Sequence, residues 1–213
     1  MVSSGNARSR GRPPVISTER LLEVARGVFL ELGIRATTAE VAARARIAEG
    51  TIFHRFRSKE ELFRAAMNFD PDSGPALVEA LRARAGVGDL RQTLVEFTHQ
   101  FLELGRVALP VMMMSWSNPE SQLYQERSGK VARFERVLGA LTAFFGDEMR
   151  AGRLRRADPE VMIRMLLGSL HHFCMSEIFI GAPVGGLTLQ QFGEQVVDVL
   201  LAEGERTVLA ERG

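Results

Sequence analysis

Cysteine is nearly absent: Cys174 is the only one in 213 residues. No internal disulfide can form, and a reducing, cytoplasmic setting is the simple reading. No apolar run reaches the roughly 18 residues that a membrane span needs, because charges or glycines interrupt each one; no membrane partner is expected. The opening MVSSGNARSRGRPP lacks the apolar stretch of a secretory signal. There is no alternating strand pattern and no internal repeat. Also missing are a phosphate-cradling glycine loop, a nucleophile elbow and a His/Glu motif with metal spacing. These absences argue against an enzyme and give no reason to expect a cofactor. Acid pairs such as Glu60-Glu61 look like solvated helix faces.

What remains is a helical chain with an uneven charge distribution. Its 46% hydrophobic content suffices for a core. Net charge is only +1, yet the chain up to Met67 holds twelve basic against seven acidic side chains, which leaves −4 for the rest. A basic head on an acidic body points one end toward an anionic polymer. Residues 1–14 read as a flexible basic arm. Within it, Arg10-Gly11-Arg12-Pro13 suits a narrow minor groove, since Gly adds no bulk and Pro keeps the backbone extended; Arg10 and Arg12 are the candidate contacts.

Residues 15–69 carry the sharpest pattern. Ser17 or Thr18 can cap a first helix with an apolar stripe of Leu21, Leu22, Ala25, Phe29 and Leu32, stopped by Gly33. The stretch Thr37 to Lys59, TTAEVAARARIAEGTIFHRFRSK, reads as a helix capped by Thr38, a tight turn closed by Ile47, and a short helix from near Ala48. Ser58 then caps another. This is the layout of a helix-turn-helix. The short helix would turn Glu49, Gly50, Thr51 and His54 toward a groove and Ile52 and Phe56 inward.

GIRATTAEVAARARIAEGTIFHRFRSKEELFRAAM, Gly33 to Met67, resembles the DNA-binding domain of TetR-type transcriptional repressors, through Gly33, Thr38, Gly50-Thr51-Ile52-Phe53, Phe56 and Ser58-Lys59-Glu60. The resemblance implies that Thr38 donates to a phosphate and that Gly50 lets backbone lie close to DNA. It implies that Thr51, His54 and Arg55 reach bases or phosphates and that Lys59 pairs with a phosphate. Phe53 stands where the family usually has Tyr, which keeps ring packing and loses a hydroxyl. Three positions depart from the pattern. Arg46 replaces the usual turn Gly, Ala48 replaces a Ser cap worth about 1 kcal/mol, and Glu49 puts a carboxylate in the groove. That carboxylate could accept from a cytosine amino group and would be repelled by phosphate.

Residues 70–213 read as a helical effector-binding and dimerisation domain. The expected helices run Ala76 to Ala85, Asp89 to Leu104, Val107 to Ser117, Glu120 to Ala151, Pro159 to Ile180 and Thr188 to Glu203, with Pro110 expected to kink or break its segment. Phe97, Phe101, Met112, Met113 and Trp116 gather in one region. With Phe134, Met165, His172 and Phe173 they form the candidate lining of an apolar ligand cavity, since Met adapts to irregular shapes. A metal reading of His171, His172 and Cys174 is weak, because adjacent histidines on a helix point about 100° apart. Gly168 and Ser169 permit close helix crossing, and Phe192, Val196 and Val199 form a stripe too apolar to leave wet. These residues are the candidate homodimer interface, which in TetR-like proteins is a four-helix bundle.

The expectation is therefore an all-α regulator, a repressor that binds a palindromic operator in double-stranded DNA as a homodimer and is released by a small hydrophobic effector. The rival is a DNA-binding regulator or architectural factor without a small-molecule effector.

Overall fold

The computed structural model describes residues 16–116, 127–182 and 185–202, except the side chains at 34, 115, 116 and 127–130. Among the described residues there are nine α-helices and no strand. They are α1 (Thr18–Leu32), α2 (Thr38–Ala45), α3 (Glu49–Phe53), α4 (Lys59–Ala66), α5 (Ser73–Arg82), α6 (Leu90–Trp116), α7 (Arg127–Arg150), α8 (Pro159–Ile180) and α9 (Leu189–Leu201). None is long and apolar enough to cross a membrane.

Local chemistry accounts for most of the helix ends. Ser17 Oγ accepts from the Arg20 amide at 3.1 Å to open α1. Gly33 closes it at φ 61°, a left-handed angle that suits glycine. Asp158 caps α8 with Pro159 in its first turn, and Gly181 ends it at φ 75°. α5 starts three residues earlier than the turn-rich run DPDSGP suggested. Pro75 falls in its first turn, where the missing N–H has no intrahelical partner to lose.

The largest departure from the sequence expectation is α6. It runs unbroken through Gly105 and Pro110, where two helices were expected. Pro110 removes the bond to the carbonyl of residue 106, but Leu109, Pro110 and Val111 are all buried, so packing on both sides holds the helix together. Gly105 is kept by a neighbour: a Cβ there would lie 3.0 Å from Cys174 Sγ on α8.

Two hydrophobic cores result. The head core joins Leu21, Ala25, Phe29, Val41, Ile52, Leu62 and Phe63, with an edge-on Phe29–Phe63 pair at 4.8 Å. The body core joins α5 to α9 through Leu81, Leu94, Phe97, Leu141, Phe145, Ile163, Leu170 and Val197. α6 enters both: its first two-thirds packs in the body, while Val111 is fully buried in the head, with Val107 and Met114 packed alongside. At 27 residues the helix is about 40 Å long, a single rod bridging the two cores.

Candidate nucleic-acid interface and effector region

The head builds its reading surface from α2 and α3. α2 opens with a capping box: Thr37 Oγ1 accepts from the Glu40 amide at 3.1 Å, and Glu40 Oε2 accepts from the Thr37 amide at 2.7 Å. The cap is thus Thr37, one residue before the expected Thr38. The box also holds the Glu40 carboxyl below the usual carboxylate range, chiefly through the Thr37 amide. Thr38 is only 8% exposed, and its hydroxyl donates to Glu49 Oε1 at 2.5 Å.

The turn passes through Arg46 at φ 56°, ψ 43°, a left-handed conformation that glycine adopts without strain. Ala48 begins α3 with no side-chain cap. Ile52 is fully buried and Phe56 nearly so, which turns Glu49, Gly50, Phe53 and His54 to solvent and leaves Thr51 half-buried. Phe53 is 50% exposed. Gly50 has room around it: an added Cβ would meet nothing within 4 Å, so the fold itself does not demand glycine there.

Two basic residues stand differently from expectation. Arg55 is half-buried. Its Nη2 donates to the Ile16 carbonyl at 2.6 Å, while Nη1 is buried without a partner. It grips the root of the N-terminal arm rather than facing outward beside His54. Lys59 is also half-buried, and burial holds its ammonium below the ordinary lysine value against the opposing pull of Glu40. Ser58 caps α4 as expected, accepting from the Glu61 amide at 3.1 Å. Arg10 and Arg12 lie outside the described residues.

Among the described side chains, the residues read as a ligand lining do not converge. Phe97 is buried in the body core, with Phe101 tilted against it at 5.9 Å. Phe173 stacks on Phe192 at 4.4 Å, an α8–α9 contact that draws an expected interface residue into the chain's own packing. Met112, Phe134 and Met165 are exposed, as is His172, and Met113 is half-buried. The Trp116 side chain lies outside the described residues. Spacing explains the outward pair on α8. Val161, Met165, Gly168 and His172 follow one another at steps of 4, 3 and 4 residues and form one exposed face. Gly168 has nothing within 4 Å of an added Cβ. Ser169 is half-buried and donates to the Leu166 carbonyl at 2.8 Å. On α9, Val199 is 75% exposed and Val196 half-buried.

A cleft of about 510 Å³ lies where head meets body. It is lined by Phe29, Leu30 and Gly33 around the end of α1, by Phe63 and Met67 in and just after α4, and by Arg106, Pro110, Glu177 and Ile178 of α6 and α8. Arg106 holds Glu177 through two bonds of 3.1 and 3.2 Å. Among the described residues, none of the expected lining borders this cleft. Its walls come from segments some 70 residues apart in the chain, and no local pattern announces it. Cys174 is core: its thiol donates to the Leu102 carbonyl at 3.6 Å, and burial pushes its pKa up to about 11. Among the described residues no three His, Cys, Asp or Glu side chains come together to hold a metal.

A trihelical head with an exposed reading helix, carried on an all-helical body, is the architecture of a helix-turn-helix transcriptional regulator. Residues 21–66, within the head, match the model of the bacterial regulatory proteins, tetR family. Solved structures share the fold over most of the chain. The TetR family regulator PfmR from Thermus thermophilus is 21% identical over 88% of this chain and 100% of its own, with a TM-score of 0.56. AibR in complex with isovaleryl coenzyme A and operator DNA is 22% identical over 86% and 97%, at 0.54. FadR from Bacillus subtilis in complex with stearoyl-CoA is 14% identical over 87% and 98%, at 0.52. Among curated proteins none matches the chain.

Proposed function

We propose that this regulator is a repressor that binds a palindromic operator as a homodimer and lets go when a small hydrophobic compound binds its body. The observation that carries the DNA half is the outward face of α3, where Gly50, Phe53 and His54 project from a head whose own packing does not need them there. Gly50 allows close approach of a sugar-phosphate strand, Phe53 offers a ring to a sugar or thymine methyl, and Thr51 and His54 offer polar groups. Lys59 supplies charge at the start of α4, and Arg10 and Arg12 would extend the footprint into the minor groove. Arg55 serves by holding the root of that arm through Ile16.

The body supports a twofold. The exposed α8 face of Val161, Met165 and Gly168, which His172 shares, and the exposed Val199 of α9 offer largely apolar surface suited to a second copy. Pairing there would set two α3 helices against one duplex face, about 34–36 Å apart. Residues 70–213 would then hold both the twofold and the effector region, with 15–69 as head and 1–14 as arm. α6 connects effector to head. A compound that shifts its body portion must also shift Val107, Val111 and Met114 within the head core. To switch the protein, it must favour the released arrangement by a few kcal/mol.

Fluorescence anisotropy on a labelled duplex chosen by selection from random DNA tests this reading. Because two similar folds hold acyl-coenzyme A compounds, isovaleryl- and stearoyl-coenzyme A are the first additions. Release at micromolar concentration is the expected result. Binding that ignores these and other hydrophobic compounds would favour the rival, a regulator without a small-molecule effector.

A further inference from the structure

From the Thr38–Glu49 contact we infer that Glu49 selects cytosine at one position of each operator half-site, and that Thr38 positions it rather than binding phosphate. The inference rests on the DNA-reading role proposed above and adds which base the head prefers.

A threonine hydroxyl has one proton to give. Here it is given to Glu49 Oε1 at 2.5 Å, in the range of a hydrogen bond to an ionised acceptor. Thr38 is nearly buried and therefore fixed, whereas Glu49 is exposed. One carboxylate oxygen is tethered to the scaffold, and the other is left at the surface at the start of α3. That is where a reading helix meets base edges.

The chemistry of an ionised carboxylate then picks the base. It accepts hydrogen bonds and donates none. Guanine shows N7 and O6 acceptors in the major groove, thymine shows the O4 acceptor, and adenine sets an N7 acceptor beside its amino group. Cytosine alone presents a donor with no acceptor of its own beside it. The same negative charge repels phosphate, so Glu49 lowers affinity for DNA at large while favouring one edge. An alanine at this position would do neither.

The test is selection of full-length protein on random duplexes, read by sequencing, for the parent and for Glu49→Ala, Glu49→Gln, Thr38→Val and Thr38→Ser, each checked for an unchanged helical melt. The parent should enrich cytosine about tenfold over other bases at one half-site position. Glu49→Ala should erase that preference, leave the other positions unchanged and bind unselected duplex more tightly. Glu49→Gln should shift the position toward adenine, which offers glutamine a donor and an acceptor together. Thr38→Val should weaken the cytosine preference severalfold, and Thr38→Ser should retain it. Should Glu49→Ala and Glu49→Gln select the parent's sequence at every position, the inference is wrong while operator binding stands. If the parent itself enriches no sequence, the DNA-reading role fails and this inference with it.

Discussion

Gly193 in the body and Gly50 in the head both lie inside helices, yet their surroundings are opposite. A Cβ at Gly193 would sit 2.8 Å from the His99 ring and 3.2 Å from Thr98 Oγ1, whereas one at Gly50 would meet nothing within 4 Å. The body's glycine exists because α9 lies tight against α6. The head's glycine answers to nothing inside the chain. Other features divide the same way. The body ties the buried Glu148 into its own architecture, and on α3 the head leaves the Phe53 ring and the Glu49 carboxylate at its surface. Residues that a fold has no use for, on a face that the fold keeps open, are where an external partner imposes its demands.

The comparison can be broken at several points. The largest effect is expected at Glu148, which is fully buried. It accepts from Arg153 Nε at 2.6 Å and from the Gly86 amide at 2.7 Å, tying the α5–α6 loop to the end of α7. Glu148→Ala strands Arg153 and an amide, and should cost about 3–5 kcal/mol of stability in urea unfolding. A loss under about 1 kcal/mol, the range of an exposed pair, would show that the body does not depend on this knot.

Next is alkaline pH. The folded chain keeps the Cys174 proton up to about 11, whereas the unfolded thiol surrenders it near 9. Because the folded pKa is raised, the stability is complete below pH 9 and declines as pH rises toward 11, by about 2 kcal/mol. In Cys174→Ala this component of the decline should vanish; an unaltered slope would contradict the assignment.

The glycine pair itself follows. Gly193→Ala should lose about 1–3 kcal/mol through overpacking. Gly50→Ala should gain about 0.5–1 kcal/mol from helix propensity while weakening operator binding at least tenfold. Were Gly50→Ala to bind the operator as well as the parent, the close approach assigned to this position would be refuted. A further small effect concerns the turn. Arg46→Gly relieves a left-handed arginine and should add about 1 kcal/mol, seen as a small rise in Tm.

Much of the head was legible because its signals are local. Ser17, Gly33 and Ser58 end or begin helices where their chemistry predicts, and the alternation of Ile52 and Phe56 with Gly50 and His54 sets which side of α3 faces out. The one-residue shift of the α2 cap was also written in the chain, since Thr37 stands three residues before Glu40, the spacing of a capping box. The body was harder because its decisive contacts are distant. Nothing near Pro110 says that two cores will carry a helix through it. Nothing near Phe192 foretells a stack on Phe173, and nothing near Glu148 points 62 residues back to Gly86. Met165 and His172 were legible in a different sense: their spacing with Gly168 places them on one face, but only packing shows that the face is outward. The cleft between head and body depends on the assembled fold and left no trace in any one segment.

In the proposed function, two copies joined through α8 and α9 present their α3 helices to one duplex. Analytical ultracentrifugation of the protein with a selected duplex measures this directly. Two chains are expected per duplex carrying an inverted repeat with half-sites one turn apart, and Val199→Asp combined with Met165→Asp should give a monomer with sharply weakened binding. A single chain bound per duplex, or a double variant that still pairs and binds like the parent, would contradict it.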